Sequence, residues 1–181
     1  MNIAVYCAAS QSNDSTFDER TEELGSWIAK NNHTLIYGGG NTGLMGVVAT
    51  SVMKSGGQVI GVMPQFLVDR EIAKKDITKL NIVETMSERK NKMIELSEVY
   101  IALPGGPGTL EEIAEVVSWV RVGQTNGICI FYNMEGYYDH LESFFNHMMT
   151  TNLLSKEDRK QIYFVKSLEE IEKLIENYEK R

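Results

Sequence analysis

The amino-acid sequence predicts an α/β fold, a doubly wound parallel sheet with helices on both faces. Short apolar runs rich in β-branched residues alternate with longer amphipathic stretches along the chain. Two glycine-rich segments follow strand-like runs and lead into helix-like ones, as at the ligand-binding edge of open parallel sheets. No long Gly-, Ser- or Pro-rich segment and no repeat of fixed period divides the 181 residues, so we expect a single domain, 1–181.

The predicted strands are short runs dominated by Val, Ile, Leu and Tyr. In chain order they are residues 3–7, 34–37, 59–63, 99–103, 128–132 and 163–165, with a weaker candidate at 81–84. Right-handed crossovers bring the carboxyl ends of parallel strands to one edge of the sheet. We therefore expect the functional residues at the strand-to-helix junctions of that edge.

Apolar residues recurring at helical spacing predict six helices between these strands. They are residues 14–31, 43–55, 87–96, 109–122, 137–150 and 167–180. The last interleaves charges with Leu168, Ile171, Leu174 and Ile175, which is typical of a packing helix without chemistry of its own. The polar stretch 64–79, which contains Arg70 and Glu71, is predicted to be a solvated loop, with a flap over a site as the alternative.

The composition excludes several classes of protein. With 18 Lys and Arg against 25 Asp and Glu the net charge is −7, which argues against a nucleic-acid partner but allows a small anion where cations cluster. No signal-like or membrane-spanning run is present, so we expect a cytoplasmic protein without a membrane partner. Cys7 and Cys129 are interpreted as buried thiols, with a nucleophilic Cys7 as the less favoured alternative.

The first glycine loop, residues 38–46, follows the second predicted strand. Gly38, Gly40 and Gly43 fit G-x-G-x-x-G, a pattern that lets backbone N–H groups approach a phosphate. A dinucleotide site of that type also needs an acidic residue ~20 positions later, and the corresponding segment 61–65 has none. No G-x-x-x-x-G-K-[ST] motif is present either, so NAD and triphosphate sites are both disfavoured.

The second glycine loop, residues 104–112, combines Gly105, Gly106 and Gly108 with Thr109 at a predicted helix N-cap. Backbone donors and a hydroxyl at the positive end of a helix suit a monophosphate. Glu112 has two interpretations. The spacing Thr109-x-x-Glu112 alone favours a capping box, whereas a carboxylate beside a phosphate site could also be a general base or stabilise a developing cation.

A cationic group begins another helix at a strand-to-helix junction. Arg89, Lys90 and Lys92 lie in the first turns, where cations are unfavourable by a few tenths of a kcal/mol unless an anion is nearby. Such a local inconsistency is typical of a site. The alternative is a solvated face on which Glu88 and Glu95 balance the cations.

Two motifs together resemble the LOG ("lonely guy") family, whose members were once labelled lysine decarboxylases. They are Met86-x-x-Arg89-Lys90 and Pro104-Gly105-Gly106-x-Gly108-Thr109-x-x-Glu112. The likeness extends to the first glycine loop and covers roughly residues 3–132. It implies a Rossmann-like fold, a homodimer and hydrolysis of cytokinin riboside 5′-monophosphates, and often AMP, to free base and ribose 5-phosphate. It implies neither a metal nor a cofactor.

The resemblance also implies roles for individual residues. The catalytic pair is Arg89 and Glu112. The candidate substrate contacts are Glu71, Lys90, Gly106, Pro107, Gly108, Thr109, Leu110, Glu111 and Ser118, with Gly39, Gly40, Gly43 and Met45 from the first glycine loop. Ser118 is a candidate for the site of the partner subunit. The chain departs from the family pattern at Ala8 and Ala9, at Pro107, where Tyr is frequent, and at residues 121–126.

The chemistry of the implied reaction suits these residue types. Cleaving a ribosyl C–N bond builds oxocarbenium character on the sugar, which a fixed carboxylate such as Glu112 stabilises. Because an arginine guanidinium stays charged in proteins, Arg89 is expected to orient an anion rather than donate a proton, and no residue stands out as the acid for the departing base.

Rival functions follow from the same motifs. They are a carrier that binds a nucleotide or pterin-like phosphate without turnover and, less favoured, a nicotinamide-dependent oxidoreductase. A lysine decarboxylase is disfavoured because no Lys has an identifiable pyridoxal-phosphate setting. His140 and His147 lack acidic or Cys partners at ligand spacing, so we expect no metal site there.

Overall fold

The computed structural model describes residues 1–70 and 72–180. One seven-stranded parallel sheet organises them, in the spatial order β4-β3-β2-β1-β5-β6-β7. Its strands are β1 (Asn2–Tyr6), β2 (Thr34–Tyr37), β3 (Gln58–Pro64), β4 (Lys79–Val83), β5 (Val99–Ala102), β6 (Ile128–Tyr132) and β7 (Ile162–Val165). The chain adds strands on one side of β1 and then returns to its other side, which creates a topological switch point between β1 and β5.

The helices are α1 (Ser15–Lys30), α2 (Gly43–Lys54), α3 (Gln65–Val68), α4 (Met86–Glu95), α5 (Pro107–Arg121), α6 (Asp139–Thr150), α7 (Lys156–Arg159) and α8 (Leu168–Glu179), with a 3₁₀ turn at Met134–Gly136. Among the described residues, none of these helices combines the length and apolarity needed to cross a membrane.

The sheet separates two hydrophobic layers. On one face, α1, α2 and α8 pack against alternate strand residues such as Ile3 and Val5. On the other, α4, α5 and α6 pack against the intervening residues, including Ala4 and Tyr6. Because successive side chains of a strand point to opposite faces, each central strand contributes to both layers. The predicted doubly wound α/β sheet is confirmed.

The structure differs from the sequence prediction mainly in the polar stretch 64–79. It contains the short helix α3, and the edge strand β4 begins at Lys79 rather than at residue 81. Residues 72–74 also form an antiparallel bridge to the first glycine loop, Gly40 with Ala73. The prediction of a solvated loop was wrong at residues 65–68, which form α3, and at the two ends, where Pro64 belongs to β3 and Lys79 to β4. Polar residues on a sheet edge lack the apolar pattern by which strands are recognised.

Candidate functional site

Three loops meet at the switch point, at the carboxyl edge of the sheet. The Ala8 N–H, just after β1, donates to the Pro104 carbonyl of the second glycine loop (3.2 Å). The Met45 N–H of the first glycine loop donates to the Ala8 carbonyl (3.2 Å). The segment after β1 thus joins the two glycine loops, so that motifs about 65 residues apart in sequence share one site.

A buried ion pair lies at the centre of this edge. Arg89 of α4 donates from Nη1 to Oε1 of Glu112 on α5 (2.6 Å), and each residue is only 5% exposed. The Arg89 Nε donates to the Val62 carbonyl of β3 (3.0 Å). Its Nη2 lies against Gly38, where a Cβ would collide with the guanidinium. Gly38 therefore admits the guanidinium, which is a different role from binding a phosphate.

Burial and the charge of Arg89 shift the pKa of Glu112 in opposite directions. Burial raises the pKa of this carboxyl above the ordinary 4.5, and the charge and hydrogen bond of Arg89 offset part of that increase. A buried carboxylate paired with one cation and close to a polar loop is a typical arrangement for a general base or an electrostatic stabiliser.

The second glycine loop ends at a helix that starts earlier than predicted. The N-cap of α5 is Gly106 and Pro107 is the first helical residue, so Thr109 lies inside the first turn. The predicted capping box of Thr109 and Glu112 is therefore wrong, since Glu112 points to Arg89 instead. Helix geometry leaves the N–H groups of Gly108 and Thr109 without intrahelical acceptors, and Pro107 has no N–H.

Thr109 and Gly105 fit closely together. Thr109 is 5% exposed, and a Cβ on Gly105 would collide with its hydroxyl. Gly106, Pro107 and Gly108 are exposed, so this end of α5 is open to solvent. The arrangement offers free backbone donors beside a buried hydroxyl, as an anion-binding helix N-terminus does.

The cations of α4 are balanced mainly by carboxylates of α5. Lys90 Nζ contacts Glu111 Oε1 (2.6 Å) and Glu115 Oε2 (3.1 Å). Lys92 pairs with Glu95 within its own helix (3.5 Å). The alternative of Glu88 and Glu95 as balancing anions is thus correct for Lys92 only, because Glu88 instead accepts from the Glu84 N–H at the helix start (2.9 Å).

The first glycine loop is largely hydrogen-bonded to, and packed against, neighbouring segments of the protein. The Lys74 N–H donates to the Gly39 carbonyl (2.9 Å), and the Asn41 N–H donates to the Ile72 carbonyl (3.1 Å). Gly43 has a φ of +58°, and its Cβ would lie 2.5 Å from the Ser10 carbonyl oxygen. Met45 packs against Gly40. Substrate contacts by Gly39, Gly40, Gly43 and Met45 stay predictions.

Some predicted site residues are not gathered within this single chain. Ser118 is exposed near the end of α5, ~9 Å of helix rise from Glu112, and its hydroxyl donates to the Ala114 carbonyl (3.0 Å). Leu110 is 44% exposed at the rim of the second glycine loop. Glu71 lies outside the described residues.

Sequence reasoning missed other residues around the edge. Tyr137 and Tyr138, after β6, donate hydrogen bonds to the second glycine loop. Lys74, 8% exposed, contacts Asn41 of the first glycine loop (3.4 Å) and Asp76 (3.0 Å). The one signal in the sequence was position, since Tyr137 and Tyr138 follow a strand whose carboxyl end lies on the same edge.

The two cysteines are buried, as predicted. Cys7 and Cys129 are both free and 1% exposed. Burial raises the pKa of Cys129 to about 12 and that of Cys7 further, with the charge of Glu112 adding to the effect at Cys7. The Cys7 thiol stays protonated at neutral pH, which argues against a nucleophile there.

Comparison with known proteins gives two kinds of match. Residues 45–175 match the family model described as "Possible lysine decarboxylase". The chain is 38% identical over 176 residues to cytokinin riboside 5′-monophosphate phosphoribohydrolase LOG1 of Arabidopsis thaliana, covering 97% of this chain and 83% of the relative. It is 36% identical to the cytokinin riboside 5′-monophosphate phosphoribohydrolase of Rhodococcoides fascians, covering 93% and 85%.

Solved structures show the same fold at lower identity. The molybdenum cofactor carrier protein of Chlamydomonas reinhardtii matches with a TM-score of 0.76 at 19% identity, covering 99% of both chains. The molybdenum cofactor binding protein of Rippkaea orientalis matches with a TM-score of 0.71 at 22% identity, covering 98% of this chain and 96% of that one. These likenesses show the architecture alone.

Proposed function

The chain belongs to the LOG family, and on that premise we propose that it hydrolyses the N-glycosidic bond of nucleoside 5′-monophosphates, AMP or N6-modified AMP, to a free base and ribose 5-phosphate. Two relatives above 35% identity carry the name of such an activity. The observation that carries the proposal is the buried Glu112 carboxylate, held by Arg89 one turn of helix away from the free donors of the second glycine loop.

The spacing of these groups suits a phosphorylated sugar. The N–H groups of Gly108 and Thr109 are the donors for a 5′-phosphate, favoured further by the positive end of the α5 dipole. Glu112 lies three to four residues further along, a rise of ~5 to 6 Å. A ribose bridging the two would turn its anomeric carbon towards the carboxylate.

The steps of the proposed hydrolysis follow from the charges that develop on the base and on the sugar. As the bond between C1′ and the base nitrogen breaks, its electron pair leaves with the base and the sugar gains positive charge, which the Glu112 carboxylate stabilises. A water oxygen bonds to C1′ and loses a proton, for which Glu112 is the acceptor. Its raised pKa brings it closer to a useful general base. The base nitrogen takes up a proton from solvent.

The contacts of Arg89 support a role in orienting an anion, and that anion is the Glu112 carboxylate. Its guanidinium donates to Glu112 and to the Val62 carbonyl and is 5% exposed. We infer that Arg89 keeps Glu112 ionised and fixes its orientation, while the phosphate is bound mainly by the second glycine loop. Leu110, Glu111 and Lys90 border the same helix end.

The proposal includes a homodimer. Ser118 lies in the last turn of α5. The apolar Val122, which is 66% exposed, directly follows that helix. An interface there would cover this apolar surface and bring Ser118 to the site of a second copy.

A base-release assay tests the proposed function. The protein is incubated with AMP, with isopentenyladenosine monophosphate and with adenosine, and free base is separated by chromatography. We expect base from both monophosphates and a kcat/KM for adenosine lower by at least about 10²-fold, because remote phosphate binding contributes to orientation of the sugar. Measurable nucleotide binding without any base release would instead indicate the alternative function, a nucleotide-binding carrier.

A further inference from the structure

The peptide carbonyls of Leu103, Pro104 and Gly105, where the second glycine loop begins, each accept a hydrogen bond from another part of the protein. The Leu103 carbonyl accepts from the Tyr138 hydroxyl (2.6 Å), and the Gly105 carbonyl accepts from the Tyr137 hydroxyl (2.6 Å). Between them, the Pro104 carbonyl accepts from the Ala8 N–H (3.2 Å). Three consecutive carbonyls at the start of the loop are therefore fixed in direction.

Fixing a carbonyl also fixes the N–H that follows it. The peptide group is planar and trans, so its C=O and N–H point in opposite directions. With the Gly105 carbonyl turned to Tyr137, the Gly106 N–H points away from Tyr137. The Ala8 N–H holds the Pro104 carbonyl and so fixes the Gly105 N–H in the same way, whereas the Tyr138 bond fixes only the Leu103 carbonyl, because Pro104 has no N–H. Flexible glycines thereby present a defined set of donors.

The two tyrosines are themselves held in place. The Asn133 side chain, 1% exposed, accepts from the Tyr138 N–H (2.6 Å) and donates to Asp139 (2.7 Å). The rings of Tyr137 and Tyr138 contact each other edge-on, with centroids 5.0 Å apart, and Tyr137 also meets Phe17 edge-on. The turn after β6 is thus a rigid support for the loop.

We propose that Tyr137 and Tyr138 are positioning residues: Tyr137 orients the Gly106 N–H, which joins those of Gly108 and Thr109 as a donor for a substrate phosphate, and Tyr138 fixes the Leu103 carbonyl where the loop begins. This inference rests on the proposed function. It assigns the tyrosine hydroxyls to the loop and not to the nucleotide itself. Tyr137 is 46% exposed, so removing its hydroxyl should change the loop without loss of core packing, whereas Tyr138 is 5% exposed.

The experiment measures phosphate binding and kinetics on the same variants. Inorganic phosphate is titrated by calorimetry into the parent protein, Tyr137→Phe and Tyr138→Phe. The control is Tyr100→Phe, whose hydroxyl donates to the Ile94 and Ser97 carbonyls, away from the loop. We expect Tyr137→Phe to weaken phosphate binding about fivefold, the effect of losing one neutral hydrogen bond, with an unchanged melting temperature.

The kinetic results follow the same pattern. For Tyr137→Phe, KM for AMP should rise by the same factor with kcat within about twofold, and adenosine turnover should not change. Tyr138→Phe should melt earlier and lose less affinity than Tyr137→Phe, because no N–H follows the carbonyl that Tyr138 holds. Tyr100→Phe should melt earlier but bind phosphate as the parent does.

An unchanged phosphate affinity in Tyr137→Phe would overturn the inference. If KM for AMP nevertheless rose in that variant, Tyr137 would contact the nucleoside directly. Absence of base release by the parent would contradict the proposed function alone, because the phosphate titration would still decide the role of the tyrosines.

Discussion

The two glycine loops have similar compositions but different structural roles. In the first glycine loop, residues 39–41 are bonded to residues 72–74, and Gly43 packs on the segment after β1. In the second glycine loop, the Gly105 carbonyl accepts a hydrogen bond from Tyr137, and a Cβ added to Gly106 or Gly108 would have no atom within 4 Å. Glycine permits close packing in one loop and access in the other, so a glycine motif alone does not identify a phosphate site.

Arg89 and Glu112 connect the two loops. The guanidinium fills the space left by Gly38 in the first loop, and the carboxylate belongs to the helix that the second loop begins. Under the proposed function, the first loop therefore serves the chemistry indirectly, by admitting the guanidinium that orients the Glu112 carboxylate. This division of roles leads to three tests, in order of decreasing effect.

The largest expected effect is that of Glu112→Gln. The amide keeps the shape of the side chain but can neither accept a proton nor stabilise a cation, so kcat for AMP should fall about 10³-fold with phosphate binding retained. Because Arg89 stays buried without its counter-charge, the free energy of unfolding should also fall, by about 2 to 3 kcal/mol. Base release and chemical denaturation measure the two effects, with the exposed Glu176→Gln as the matched control.

The pH profile of the parent protein checks the same assignment. Since burial raises the pKa of Glu112, kcat/KM should decline as the pH falls through a value above 4.5, where the carboxylate becomes protonated. This acidic limb should be absent from the residual activity of Glu112→Gln. A variant that turns over AMP as fast as the parent would exclude Glu112 from the chemistry.

A pair of alanine substitutions compares the loops directly. Gly43→Ala places a side chain at positive φ, with its Cβ 2.5 Å from the Ser10 carbonyl oxygen, and should destabilise the protein by about 3 kcal/mol. Gly108→Ala meets no neighbour and should stabilise α5 by up to about 1 kcal/mol. Its methyl group projects towards the helix N-terminus, so KM for AMP should rise several-fold.

Denaturation curves and AMP kinetics on both variants decide the comparison. The contrast between the loops would be incorrect if Gly43→Ala were as stable as the parent and lost nucleotide affinity, because the first loop would then be the ligand cradle.

The smallest expected effect concerns the link between α4 and α5. Lys90→Met removes the ion pairs with Glu111 and Glu115 and should lower the free energy of unfolding by about 1 kcal/mol. The hydrogen bonds that Lys90 donates to Glu111 and then to Glu115 raise the pKa of Lys90. This contribution is therefore complete below the ordinary pKa of 10.5 and is lost as the pH rises through the higher pKa of the folded state. Denaturation at pH 7 and above pH 10.5 measures it.

Kinetics separate this structural role from a binding role. A large rise in KM for AMP in Lys90→Met, with unchanged stability, would show that Lys90 binds the nucleotide rather than the carboxylates of α5.

The sequence by itself determined the α/β sheet and predicted the edge on which the candidate site lies. Alternating strand and helix patterns are local, and parallel crossovers have one favoured hand, so the topology followed from short-range information. The motifs around Arg89 and Glu112 were also visible in the sequence. Their physical roles were not, because the spacing Thr109-x-x-Glu112 has the same form as a capping box.

Only the tertiary structure decided which partners these residues have. Glu112 turns to Arg89, 23 residues away, and Lys90 turns to α5 rather than to acids of its own helix. Tyr137 reaches the second glycine loop across 32 residues. Contacts of this kind depend on how the layers pack on the sheet, and the burial that raises the pKa of Glu112 exists only once those layers have assembled.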